Sequence, residues 1–269
     1  MLENVSIGRY YSARSILHET DPRVKALLYI VYLVAIFMIK TTPAVLALIA
    51  TILIQILMAR ITPRIFWETV KPILPIAIFI LILNILTIRQ GSILWEWKII
   101  RITDYVISRA VLMTLRLVFL IISNSILLTL TTTPLKICDA LESLFAPLAV
   151  IKVPVHEMAM MMSIALRFIP TLIEETDKIM KAQVSRGADY DTGSFINRIK
   201  GYVTVLIPLF VSSFKRAEDL AVAMDARCYN GGKGRTKLHP LKLTLRDVLV
   251  GIMLALLAAL NVAVDIALR

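Results

Sequence analysis

Thiols and imidazoles are scarce in this chain, with two cysteines and three histidines among 269 residues. Cys138 and Cys228 lie far apart and form no Cys-x-x-Cys, which excludes a disulfide framework and a zinc site and leaves both as small, partly buried residues. His18, His156 and His239 are scattered, so no metal site is expected. The run His156-Glu157-Met158-Ala159-Met160 begins like a zinc-protease motif but has methionine where the second ligand must stand. Charge is scarce too: 18% of residues are charged, too few for a soluble domain of this length. Acid is scarcer than base, 19 residues against 30, giving a net charge of +11. In an apolar chain such an excess belongs to loops on the cytoplasmic side, and nucleic acid is not needed to explain it. A nucleotide site is also missing. Gly231-Gly232-Lys233-Gly234-Arg235-Thr236 lacks the G-x-x-x-x-G-K spacing and follows its lysine with glycine, so it reads as a flexible basic turn. Met1 to Arg23 has neither an apolar core nor a small-residue cleavage site, so no secretory signal peptide is expected.

What is present is apolar surface: 58% of the residues are hydrophobic and the mean hydropathy is +0.78. Five runs read as transmembrane helices: Val24 to Ile39, Pro43 to Ala59, Pro72 to Ile88, Ala110 to Thr131 and Val248 to Ala267. The first three fall short of the roughly 20 residues that cross a hydrocarbon core and must recruit flanking residues or sit within a bundle. Arg9, Arg14, Arg23 and Lys25 precede the first run, Arg60, Arg64 and Lys71 separate the second from the third, and sixteen Lys and Arg lie between Pro134 and Arg246. These segments are predicted to be cytoplasmic, with the N-terminus inside and the C-terminus outside. The third-to-fourth link, with Trp95 and Trp97 as interfacial anchors, is placed outside. Arg116 falls within the fourth run and is expected to snorkel or pair locally, in preference to a transport role.

The segment before the last run is too polar to span and too periodic to be a loop. Thr133-Pro134 marks a helix start, Ile137, Leu141, Leu144, Phe145 and Leu148 fall on one helical face, and this short helix is expected to end near Pro147. A long amphipathic helix is predicted from Pro154 to Ser185, with Glu174 to Lys178 and Asp177 to Lys181 as i,i+4 pairs and a kink at Pro170. Another is predicted from Phe195 to Ala226, kinked at Pro208. Met158, Met160, Met161 and Met162 cluster near the start of the first. They read as core filling or, alternatively, as a compliant surface for partner subunits, with Met158, Met161 and Met162 as the candidates to face a membrane subunit.

Arg186 and Arg227 close these two helices in similar settings, Val-Ser-Arg-Gly-Ala-Asp and Asp-Ala-Arg-Cys-Tyr-Asn. A gapless alignment on the arginines sets Asp177 over Glu218 and Ala182 over Ala223. One cation at a helix C-terminus is explained by the helix dipole. Two such ends, with the small neighbours Ser185 and Gly187 in one and Ala226 and Cys228 in the other, point to a pair of plugs. Small flanks let a partner surface close around each guanidinium, whose planar fork bonds carboxylates or carbonyls at several points.

On these two motifs, and on the stretch Ser15 to Lys25 with its Asp21-Pro22-Arg23, the chain resembles the EcfT/CbiQ-like transmembrane coupling (T) component of energy-coupling factor (ECF) transporters, over essentially its whole length. It departs from the family's Ala-Arg-Gly pattern with Ser185 in the first motif and Cys228 in the second. The resemblance implies a non-catalytic subunit whose two cytoplasmic coupling helices seat in grooves of two ABC-type ATPases, which bind the ATP and Mg. It also implies contact with a small membrane-embedded substrate-binding S component that delivers a vitamin or metal ion across a prokaryotic cell membrane. The expected architecture is an all-α integral membrane protein of about five spans. Residues 1–133 form the first part, 134–246 a cytoplasmic domain of three amphipathic coupling helices, and 247–269 the last span. The rival reading is a self-contained secondary transporter with its site in the bundle. That requires ionisable residues or broken helices at mid-membrane, where the sequence offers little beyond Arg116, Asn84 and Asn124.

Overall fold

The structure, a computed structural model, describes residues 10–87, 93–97, 100–187, 195–231 and 240–268. In chain order the elements are α1 (Ile16–Glu19), α2 (Pro22–Met38), α3 (Thr42–Ala59), α4 (Pro63–Val70), α5 (Ile73–Thr87), β1 (Ile93–Trp97), β2 (Ile100–Thr103), α6 (Asp104–Asn124), α7 (Pro134–Phe145), α8 (Val155–Ser185), α9 (Phe195–Ala226) and α10 (Leu245–Ala267). A π-helical segment, Ser125–Leu130, extends α6, and a 3₁₀ turn, Ala146–Ile151, follows α7. The chain divides into one compact unit of Gly8–Ala140 with Leu241–Arg269 and another built on Leu141–Pro240.

The first unit is a helical bundle with its core along α2, α3, α6 and α10. Leu28, Tyr32 and Ile36 of α2, Val45, Leu48 and Ile52 of α3, Ile122 of α6, Ile126 and Leu127 of the π segment, and Leu254 and Ala258 of α10 are all buried together. Leu46, Leu57, Phe79, Leu256 and Leu260 point outward and are exposed, the arrangement of a bundle whose solvent is lipid. Small residues let the helices approach closely. A β-carbon added at Gly251 of α10 would lie 2.8 Å from Val24 Cγ1 of α2.

Among the described residues, three helices are long and apolar enough to cross a membrane: α3, α6 with its π extension, and α10; α4 and α5 make a fourth if the bent pair is one span. At 17 residues, α2 is about 26 Å long at 1.5 Å per residue, short of the hydrocarbon core but centrally packed.

The Arg60–Lys71 link holds a helix, α4, that the hydropathy runs do not mark, and α4 and α5 meet at 46°. Pro72 at this junction has no N–H for the helical ladder and Pro75 removes another donor one turn on. The fourth helix begins at Asp104, six residues earlier than Ala110. The all-helical architecture holds, with one short hairpin between α5 and α6 in which β1 and β2 pair antiparallel, Glu96 opposite Arg101. The side chains of Trp95 and Trp97 lie outside the described part, as do Gly232 to Thr236 and His239.

In the second unit α8 and α9 occupy the ranges their periodicity predicts, and each continues as one helix through its proline, Pro170 or Pro208. The two run antiparallel. Ser212 donates a short hydrogen bond to Glu175, and Arg216 bonds the same carboxylate at 2.5 Å. Farther along, Met160 of α8 shares a cleft with Met224 and Arg227 of α9. Among the described residues of α8 none is buried.

Candidate functional site

The two arginine ends are built alike. Arg186 is the C-cap of α8 and its N–H bonds Gln183 O at 3.0 Å; the N–H of Gly187 bonds Val184 O at 3.0 Å. Gly187 has φ 86°, the left-handed conformation that ends many helices and that glycine adopts without a Cβ penalty. At the end of α9, Cys228 N–H bonds Asp225 O at 2.9 Å and Tyr229 N–H bonds Met224 O at 3.1 Å. This is the paired closure of a Schellman motif, with Cys228 at φ 57° in the position glycine usually takes. The departure of this chain from the Ala-Arg-Gly pattern therefore falls where the backbone most favours glycine. Ser185, Arg186, Gly187, Ala226, Arg227 and Cys228 are all exposed, and the Ser185 hydroxyl bonds back to Lys181 O at 3.1 Å.

Because α8 and α9 are antiparallel, the arginines stand at opposite ends of the pair. Arg227 shares a cleft of about 360 Å³ with Met160 near the start of α8, and from Met160 to Arg186 the helix advances about 39 Å. Between them sits Glu175, which the sequence reading passed over. It lies three residues after Leu172 and four before Ile179, so it is an acid on the apolar stripe, and that misfit was the signal for a cross-helix partner. On the polar face, Lys181 bonds Asp177 at 2.6 Å, as predicted; this hydrogen bond holds the half-buried Asp177 carboxyl below its ordinary pKa.

Three of the four methionines are not core filling: Met158, Met161 and Met162 are more than half exposed, while Met160 is partly buried and lines the cleft with Met224 and Arg227. The apolar face of α9 is similarly bare: Leu206, Ile207, Phe210, Val211 and Phe214 are exposed.

Asp21-Pro22-Arg23 ties the bundle together. Asp21 caps α2 by accepting from Arg23 N–H at 2.8 Å, and Pro22 stands at the first helical position. The Asp21 N–H donates to Asp247 Oδ1 at 3.1 Å, while Asp247 Oδ2 accepts from Thr244 N–H at 2.8 Å in the capping box of α10. One carboxylate thus joins the N-termini of two helices, and Arg23 reaches Leu241 O at 3.3 Å. Buried Lys25 donates to Thr131 O at 3.0 Å and to Thr132 Oγ1 at 3.1 Å, at the end of the π segment. At the other end of α2, Asp265 accepts from Lys40 N–H at 2.7 Å and from Thr41 N–H at 2.8 Å. Arg116 donates to Ile39 O, the local pairing expected of it.

Asn84 and Asn124, singled out in the sequence, are only partly buried. Besides Lys25, Asp247 and Asp265, the buried polar groups of the bundle include Thr51 and Gln55 of α3, Ser123 of α6 and Asn261 of α10. Asn261 Nδ2 donates to Thr51 Oγ1 at 2.8 Å and Ser123 Oγ to Gln55 Oε1 at 3.3 Å. None of these four is ionisable and their bonds run between helices, so they read as interhelical packing; the buried ionisable groups Lys25, Asp247 and Asp265 are held by bonds at helix ends.

A family model described as "Cobalt transport protein", CbiQ, matches residues 13–238. The chain is 50% identical over 250 residues to the energy-coupling factor transporter transmembrane protein EcfT of Ruminiclostridium cellulolyticum, covering 93% of each chain. It is 43% identical over 263 residues to the protein of that name from Clostridium kluyveri, covering 97% of each. With the Bacillus subtilis protein of that name it shares 43% identity over 262 residues, covering 97% of this chain and 98% of that one.

Proposed function

Since the chain belongs to the CbiQ/EcfT family, the transmembrane components of energy-coupling factor transporters, we propose that it is the non-catalytic part that transmits ATP-driven motion of two ABC-type ATPase subunits to a small substrate-binding membrane subunit. The observation that carries the proposal is the pair of exposed arginines, each on a helix C-cap and at opposite ends of one antiparallel pair. A long helix pair with a cationic plug at each end is suited to two sockets a few tens of Å apart. When the ATPases, holding ATP and Mg, close on each other, the sockets carry the plugs along. Long helices turn a small rotation at the tip into a large shift at the far end. Pro170 and Pro208 each remove one backbone hydrogen bond, which makes them the points where α8 and α9 flex. Met158, Met161 and Met162 then offer a compliant apolar surface to the substrate-binding subunit.

In this reading the membrane part has five spans, with α2 the shortest, and α7, α8 and α9 are cytoplasmic. The N-terminus is inside and the C-terminus outside, which fits the basic residues before α2, between α3 and α5, and through 134–246. The cargo is a micronutrient, a vitamin or a metal ion. Affinity purification from the native membrane followed by mass spectrometry tests the assembly: two ABC ATPases and one or more small hydrophobic subunits should remain bound. A chain that purifies alone and still transports would contradict it.

A further inference from the structure

Phe145 through Lys152 are eight consecutive exposed residues, and none from Leu144 to Ile151 carries a polar side chain. Val150 is 86% and Ile151 67% exposed. The backbone beneath them is largely self-satisfied. Lys152 N–H bonds Ala149 O at 3.0 Å and Val155 N–H bonds Val153 O at 2.9 Å, while Pro147 and Pro154 have no N–H to satisfy. Lys152 turns back at φ 63°, and no acidic residue occurs from Ser143 to Val155.

We propose that the 3₁₀ turn Ala146–Ile151 is a wedge that inserts Val150 and Ile151 into the lipid headgroup boundary, with Lys152 reaching the phosphates. The wedge is independent of the coupling role. A protein partner would need hydrogen bonds, of which specific interfaces carry about one per 100–200 Å². This turn offers no side chain from Leu144 to Ile151 able to make one. A bilayer asks only for apolar side chains, a backbone with few unsatisfied groups and a cation able to snorkel. Chain length puts the surface within reach: the span ends at Leu130, and the intervening twelve-residue α7 is about 18 Å long.

The test is site-directed fluorescence of the full chain in nanodiscs of phosphatidylcholine and phosphatidylglycerol. Bimane is attached at Val150→Cys or, separately, at Ile151→Cys, in a Cys138→Ala, Cys228→Gly background; two labelling sites guard against one variant misfolding. Lipids brominated along the acyl chain should quench both labels, at a depth of about 5–10 Å below the headgroup boundary, while aqueous iodide should not. Quenching by iodide alone would overturn the proposal by placing the turn in water. Shielding from both quenchers would overturn it in favour of a protein contact.

Discussion

Arg186 and Arg227 hold equivalent positions at opposite ends of the α8–α9 pair: each stands where its helix closes, and each precedes a residue of positive φ, Gly187 at 86° and Cys228 at 57°. The glycine is free of neighbours, since nothing lies within 4 Å of a β-carbon built on it. Any cost of replacing it is therefore conformational.

Cys228→Gly should stabilise the end of α9, and Gly187→Ala should destabilise the end of α8 by about 1 kcal/mol, the penalty of a left-handed residue with a β-carbon. Hydrogen exchange at the last turn of each helix measures both. Faster exchange in Cys228→Gly would show that the cysteine side chain, not the backbone, secures that turn.

Asp247→Ala should cost about 2 kcal/mol. It removes a buried carboxylate that accepts from the N–H groups of both Asp21 and Thr244, combining the loss of a cap with the loss of charge-assisted bonds. Thermal unfolding in detergent gives the number. A midpoint unchanged from the parent would mean that water takes over both bonds.

Gly251→Ala, usually favourable within a helix, should here lower stability by about 1 kcal/mol or more, because Val24 Cγ1 is branched close to its backbone and cannot swing away from a new carbon at 2.8 Å. Val24→Ala in the same chain should restore it. Failure of that rescue would separate the cost from the α2–α10 approach.

The N-terminal tether should loosen as pH falls. His18 accepts a hydrogen bond from Ser15 Oγ at Nδ1, 2.7 Å away, and donates from Nε2 to Tyr11 O at 2.8 Å. Burial lowers its pKa, with nearby Lys25 and Lys136 adding to the effect against the Tyr11 and Leu130 backbone bonds. A folded pKa below the unfolded value of about 6.5 means that the unfolded segment binds more protons in the window beneath that value. The contribution of His18 is therefore full above pH 6.5 and lost on acidification. Protection of the Tyr11 amide, which bonds Leu130 O at 3.0 Å, should fall as the pH drops below about 6.5, after correction for intrinsic exchange. His18→Gln should flatten that dependence.

The ranges of α8 and α9 were legible because apolar residues recurring every three or four positions have one good burial geometry, and the arginine ends because glycine and small residues mark helix stops. Periodicity carries no information about partners across helices. Glu175, Asp247, Asp265 and Asn261 emerged only once the antiparallel pair and the bundle brought Arg216, Asp21, Lys40 and Thr51 to them. The bend between α4 and α5 was hidden for another reason. Hydropathy averages over Pro72, whereas the α4 ladder ends beside it for want of a donor. Asp21-Pro22-Arg23, weak as a motif, was legible as a helix start but not as the joint between α2 and α10.

The most direct test of the coupling account is to reverse both plugs, Arg186→Glu together with Arg227→Glu, and to measure ATPase co-purification from membranes containing equal amounts of inserted chain. Two carboxylates offered to sockets that fit guanidinium groups should repel where the parent binds. The account predicts that the ATPases are lost while membrane insertion is retained; ATPases recovered at the parent level would contradict it.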